Sequence, residues 1–430
     1  MIHKLLELIP FLLWLLSWTI GGWLLADAAL RLPRRFIFGV GLALGAVAQT
    51  WAANLLGFFL PAPVAFLGGG LVTLTLGLAF FWPFRLGKLR RALVPESWVQ
   101  VVVFFAIVYI FTAIGRGLGL FEEYQNLPTI SLLARGDIPP LFALDPKLRF
   151  GYHYFMLLFA AQVTRLGHIL PWNALDFTRG LFFGLIMLLT YLWVGRMTRS
   201  RVAAYAGTLF AAFASGTRWL LLLLPPAWVA NLSQNITLLG SAAQSVSDLP
   251  HGLTLPWNVD GGPPIPFPFA YVNGISLPHV LDHGGAAMMV TMLVILLLIV
   301  YRFWRDWRGG VVMTILLAAL ANLSEHIYIV MVFGLGLALV VHWIRSHSWK
   351  IPRDFLPWIA AVGISAMFAA IQGGVLTELV RGLLGLQAGA AEGGSYFTVG
   401  FAFNLHPTVI SGHLGLLDLT DPRQLVLALL

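Results

Sequence analysis

The sequence predicts an all-α fold, a polytopic transmembrane helical bundle of about ten or eleven helices, with long outer loops carrying short interfacial helices. Three observations lead there. Hydrophobic residues make up 59% of the 430 and charged residues only 10%, more apolar side chain than a soluble core of this size can bury. Apolar stretches of membrane-spanning length recur along the chain. Lys and Arg gather in short clusters between those stretches, as the positive-inside bias requires.

In chain order the apolar stretches are 8–30, 36–60, 62–82, 98–114, 152–170, 178–195, 202–224, 284–301, 326–343 and 355–372. A shorter run, 311–321, is expected to pair with 326–343 as a hairpin. Lys4 and the small residues Ala26-Asp27-Ala28 imitate a secretory signal. The run Ile9–Leu25 is longer than a signal core, so it reads as a retained helix. The organisation that follows has N-terminal helices over 1–114, a first outer loop with an acidic motif over 115–151, and helices over 152–224. A second outer loop covers 225–283, helices cover 284–372, and an outer loop with the start of a further helix covers 373–430. The last apolar run, Leu425–Leu430, reads as a helix just beginning, so a truncation or split gene is expected at this end.

The basic clusters are Arg31/Arg34/Arg35, Arg85/Lys88/Arg90/Arg91, Arg196/Arg199/Arg201, Arg302/Arg305/Arg308 and Arg345/Lys350/Arg353. They mark the cytoplasmic side of the membrane. Trp219–Tyr301 holds no Lys or Arg and reads as extracytoplasmic. Counting crossings puts the insert at Phe121, the turn Asn322–Glu325 and the region after Gln372 on the same outer side. One conflict arises, because three stretches between 151 and 225 cannot join two outer loops. It is resolved by reading 152–170, which holds Arg165 and His168, as re-entrant or interfacial. A break of 202–224 near Ser215-Gly216-Thr217 is the alternative. The net charge of +8 is explained by these loop clusters and does not point to nucleic acid. With no Cys there is no disulfide, thiolate metal site or Cys nucleophile.

Four polar constellations stand against this apolar background. Glu122-Glu123 follows an apolar helix; adjacent carboxylates at a low-dielectric surface repel, which suits one of them to act as a base or to hold a cation. Tyr152-His153-Tyr154, three residues after Arg149, sets a His and a cation beside aromatic rings at a helix entrance, a pattern that can bind a phosphate head group. An aromatic belt is the plain reading of the same residues. His279, Asp282 and His283 have a spacing that can hold a divalent metal ion if helical, or contact a polar substrate. No other cofactor follows from the residues. Glu325 and His326, in Asn322-Leu-Ser324-Glu325-His326, lie at a turn between apolar runs, where they need partners or a water-filled cavity. Nucleotide-binding and GxSxG signatures are absent.

The acidic pair opening an outer loop, then LLARGDIPP at 132–140, FGYHY at 150–154, and a helix ending in a glycine before Arg179 resemble the GT-C superfamily of polytopic glycosyltransferases. Closest is an uncharacterised prokaryotic subgroup with a Pro-Pro turn (Pro139-Pro140), a Tyr-rich helix start and a later Asp/His cluster. The resemblance covers roughly 115–345. It implies transfer of a sugar from a polyprenyl-phosphate-linked donor in the lipid bilayer, with the active face extracytoplasmic and Glu122 or Glu123 as the catalytic acid. Arg149 and His153 are the nearest groups for the departing phosphate. The substrate contacts then comprise Arg149, Tyr152, His153, Tyr154, His279, Asp282, His283, Glu325 and His326. The chain departs from the family in having about four helices before the acidic loop, where many relatives have one, and in lacking the usual C-terminal part. A transporter or flippase and a non-catalytic protein retaining the fold are the alternatives.

Overall fold

The computed structural model describes residues 2–82, 86–118, 123–213, 223–232, 283–300, 307–347, 350–351, 355–386, 407–411 and 415–429. The chain is an all-α polytopic membrane bundle. Six helices among the described residues are long and apolar enough to cross a bilayer, and a seventh crossing is formed if a bent pair near the C-terminus counts as one. α1 (Ile2–Ala28), α2 (Arg34–Gly57) and α3 (Ala62–Phe81) pack on one another. Prolines open several helices: Pro33 precedes α2, Pro61 precedes α3, and Pro171 begins α8 (Pro171–Thr198). A fixed φ and a missing N–H cost nothing in a first turn. α1 and α2 meet through glycines, since a Cβ on Gly22 would run into the Gly41 carbonyl and Gly45. Close backbone approach of this kind is how helices gain contact in lipid.

α4 (Leu86–Leu93) leads into α5 (Trp98–Leu118), which packs on α8. α2 is 94% buried over its apolar window and forms the centre, while α13 (Glu325–Ser346) is only 6% buried and forms the rim. α9 (Arg201–Phe213) packs on α8, and α10 (Pro226–Leu232) is a short helix after it. α11 (His283–Val300) and α12 (Trp307–Leu323) complete the interior, with α12 joined to α13 through Ser324. α14 (Leu356–Ile371) and α15 (Val375–Leu383) meet at a 79° bend. A β3–β4 hairpin (Thr408–Ser411, Gly415–Asp418) and α16 (Pro422–Leu429) follow. The expected run at 425–430 thus lies largely within α16.

The first polar insert is more ordered than its prolines and charges imply. It holds α6 (Glu123–Arg135), with Pro128 inside, and a hairpin of β1 (Leu141–Phe142) and β2 (Asp145–Arg149) in which Leu141 faces Arg149. Ile130 and Leu133 of α6 are fully buried, and the helix packs on α7 (Phe155–Gly167). α7 itself has 13 residues, about 20 Å at 1.5 Å per residue. That is too short to cross about 30 Å of hydrocarbon. It is buried within the bundle against α1, α2, α6 and α8, and it ends where His168 turns left-handed. Arg165 and His168 are exposed. The stretch 152–170 therefore lies inside the bundle without spanning it. Ser215-Gly216-Thr217 lies outside the described residues.

Described members of the basic clusters gather at one end. Arg91 pairs with Asp27 at 3.3 Å and donates to the Leu32 carbonyl at 3.1 Å. Arg34 donates to the Val94 carbonyl, and Arg308 to the Phe80 carbonyl. α2 and α12 start at this end and run to the other, where the polar residues collect.

Candidate functional site

The candidate site forms where four chain breaks meet at the end opposite the basic clusters: the end of α2, the β2–α7 junction, the α12–α13 turn and the α14–α15 break. Gln372 is the hub. Its side chain accepts from Trp51 Nε1 at 3.1 Å and donates to the Ala318 carbonyl at 2.6 Å. Its own carbonyl accepts from Asn54 Nδ2 at 2.8 Å and from the Tyr154 hydroxyl at 2.9 Å. The same hydroxyl lies 2.8 Å from Asn54 Oδ1 and also hydrogen-bonds Asn322. Burial pushes the Tyr154 phenol well above its ordinary pKa, so it stays protonated and can donate.

The break depends on two glycines. Gly373 and Gly374 have φ of +93° and +85°, a region open to glycine at little cost. A Cβ on Gly373 would collide with the Tyr154 hydroxyl, and one on Gly374 would come 2.9 Å from Asn322 Oδ1. Thr377 closes the gap between the half-helices, accepting from Gly373 N at 2.9 Å and donating to the Ala369 carbonyl at 2.8 Å.

Around this hub the charged side chains pair. Glu325 opens α13, and one of its oxygens lies 3.7 Å from His153 Nδ1; the other is 4.0 Å from His326 Nδ1. The His153 ring lies against the Tyr152 ring at 3.6 Å between centroids. His153 is largely enclosed and His326 is exposed, so the carboxylate sits between a buried and a solvated imidazole. Arg149, at the end of β2, pairs with Glu378 of α15 at 3.7 Å, and Arg381 approaches the other Glu378 oxygen at 3.7 Å. Glu378 is buried; Arg149 is 41% exposed.

The structure therefore brings Arg149, Tyr152, His153, Tyr154, Glu325 and His326 together. One pairing is new and one expectation changes. Arg149 and His153 each lie beside a carboxylate, Glu378 and Glu325, which the sequence does not reveal. Tyr154 is wholly buried and hydrogen-bonded within the protein, so it holds the junction together instead of facing a substrate. Glu122, His279 and Asp282 lie outside the described residues. Glu123 and His283 begin α6 and α11, but their side chains are likewise outside the description. Among the described residues, no three His, Asp or Glu side chains gather in a way that could hold a metal ion.

Asn54, Gln372, Glu378 and Arg381 are functional candidates that sequence reasoning missed. Their signals were present: a lone Asn near the end of an apolar helix, and a Gln-Gly-Gly interruption followed by Glu and Arg at i, i+3 spacing. A second buried pair, Asp176 and Arg179, lies on α8 with N–O at 3.9 Å. Trp172 hydrogen-bonds Asp176, and the pair sits against α5 at Gly115. Fold and site together define an integral membrane protein with a polar junction at one end of its bundle. The chain matches no protein-family model, no curated protein and no solved structure.

Proposed function

We propose that this chain is a membrane glycosyltransferase of the GT-C type, transferring a sugar from a polyprenyl-phosphate-linked donor to an acceptor on the extracytoplasmic side. The observation that carries it is convergence: a carboxylate between two imidazoles and a carboxylate between two guanidiniums collect at one end of the bundle, opposite the basic clusters. The positive-inside bias makes that end extracytoplasmic. Glu122 or Glu123, the acid that the GT-C resemblance assigns, belongs to the insert whose later residues build this junction. A carboxylate takes the proton of the acceptor hydroxyl as the acceptor oxygen attacks the anomeric carbon. The phosphate departs with its bonding electron pair, which cationic groups stabilise.

The test is sugar transfer by the purified full chain, reconstituted with a polyprenyl-phosphate sugar. Glu122→Gln, Glu123→Gln and Glu325→Gln each keep side-chain shape and remove a base. At least one is expected to slow transfer by about a hundred- to ten-thousandfold. Normal transfer by all three would refute the assignment of the base, and no transfer by the wild type would refute the reading. A transporter is the second reading, favoured by the α14–α15 break, since discontinuous helices with unwound glycines line many transport sites. Substrate flux into proteoliposomes without turnover would decide for it.

A further inference from the structure

We infer that His153 and Glu325 form a proton-operated latch that fastens the outer end of α13 to the β2–α7 junction. α13 is the peripheral crossing helix, 6% buried over its apolar window, with Tyr328 its one buried residue among those described. Ile327, Met331, Val332 and Leu335 touch the bundle only from half-buried positions. An apolar side chain gains little by leaving lipid for such a contact, so this packing holds α13 weakly. Polar ties lie at the outer turn. The Tyr328 hydroxyl is 3.0 Å from Ser365 Oγ, and Glu325 Oε2 is 3.7 Å from His153 Nδ1. Behind them Ser324, between α12 and α13, is extended at φ −167° and caps α13 with no side-chain hydrogen bond. α13 can swing about that residue without unwinding either helix.

Of the two ties, one responds to pH. Imidazole is the side chain whose charge changes between about pH 5 and 8. With His153 protonated, the ring and the Glu325 carboxylate attract in a largely enclosed setting, which strengthens the attraction. As pH rises through the imidazole's titration the ring becomes neutral and the attraction is lost. Glu325 then has an alternative on the solvent side, because its other oxygen is 4.0 Å from the exposed His326. The Tyr152 ring, 3.6 Å from the His153 ring between centroids, holds the imidazole in place. The other ionisable groups of the junction are engaged elsewhere: Arg149 and Arg381 flank Glu378, and Tyr154 is bonded to Asn54 and the Gln372 carbonyl. The latch is closed at mildly acidic pH and released at mildly alkaline pH. The turn it releases is the one beside His153, next to Tyr154, so access from the bilayer to the Gln372 junction follows the pH on that face. This holds whether the chain transfers a sugar or transports a substrate.

Distances between spin labels in lipid nanodiscs test it on the full chain, which has no native Cys. Leu144→Cys at the β-hairpin tip and Ile329→Cys on α13 replace exposed side chains. From about pH 5.5 to about pH 8 the population at longer separation should rise at least about threefold. His153→Gln should abolish that response, Glu325→Gln should leave the longer separation populated at both pH values, and His326→Gln should keep the response. Leu144→Cys paired with Met367→Cys on α14, also exposed, should show no change. A wild type without a pH response overturns the inference. So does a response that survives His153→Gln, or one that His326→Gln abolishes. An equal change in the Leu144–Met367 pair assigns the movement to the hairpin and overturns it too. If His153→Gln does not fold, the wild-type and Glu325→Gln arms decide alone.

Discussion

Gly373→Ala should damage this protein far more than the same change ten residues earlier. At Gly373 the backbone has φ of +93°, where an L side chain costs about 1–3 kcal/mol. The added methyl would also overlap the Tyr154 hydroxyl and sit 3.1 Å from Pro139 Cβ and Cγ. Relieving such overpacking costs about 1–3 kcal/mol more. The two together give a loss of roughly 2–6 kcal/mol. Gly363, inside α14, has nothing within 4 Å of the position a Cβ would take. There the exchange improves helix propensity and should be neutral or stabilising by up to about 1 kcal/mol. Reversible unfolding of both variants in mixed micelles titrated with SDS, followed by tryptophan fluorescence, gives the two free energies directly. Equal stability of Gly373→Ala and Gly363→Ala would refute the claim that the α14–α15 break is sterically committed to glycine.

Tyr154→Phe should cost about 1–3 kcal/mol in the same titration, because Asn54 Oδ1 and the Gln372 carbonyl lose their shared donor in a buried setting. Gln372→Met should cost a similar 1–3 kcal/mol, roughly, by leaving the Ala318 carbonyl and the Trp51 indole without that partner; wild-type stability in either variant would show that the junction does not lock the bundle. Sidedness can be read by thiol labelling, since the native chain has no Cys. Lys147→Cys in the β hairpin and Met197→Cys at the end of α8 should label from opposite faces of the membrane; labelling from one face would remove the basis for an extracytoplasmic site.

Much of the site was legible as isolated pieces. Arg149, His153, Glu325 and His326 stood out because ionisable groups beside apolar stretches are costly and few. Their partners did not stand out. Glu378 and Arg381 look like an ordinary amphipathic turn, and Gln372 looks like the end of a helix. Tyr154 and Gln372 are 218 positions apart, and only packing makes them neighbours.

The sequence by itself determined the class of the protein: an apolar chain with charges confined to short loops can satisfy its backbone in lipid only as helices. It also determined where many of the helices begin, through the edges of the apolar stretches. Tertiary structure alone decided which helices are central and which are peripheral. α2 and α13 read alike as apolar spans, yet one is 94% buried and the other 6%. Lipid tails and protein interiors are equally apolar, so composition cannot tell a lipid-facing side from a packed one. The same holds for the junction, where which carboxylate meets which cation was set by how α7, α12 and the α14–α15 pair converge.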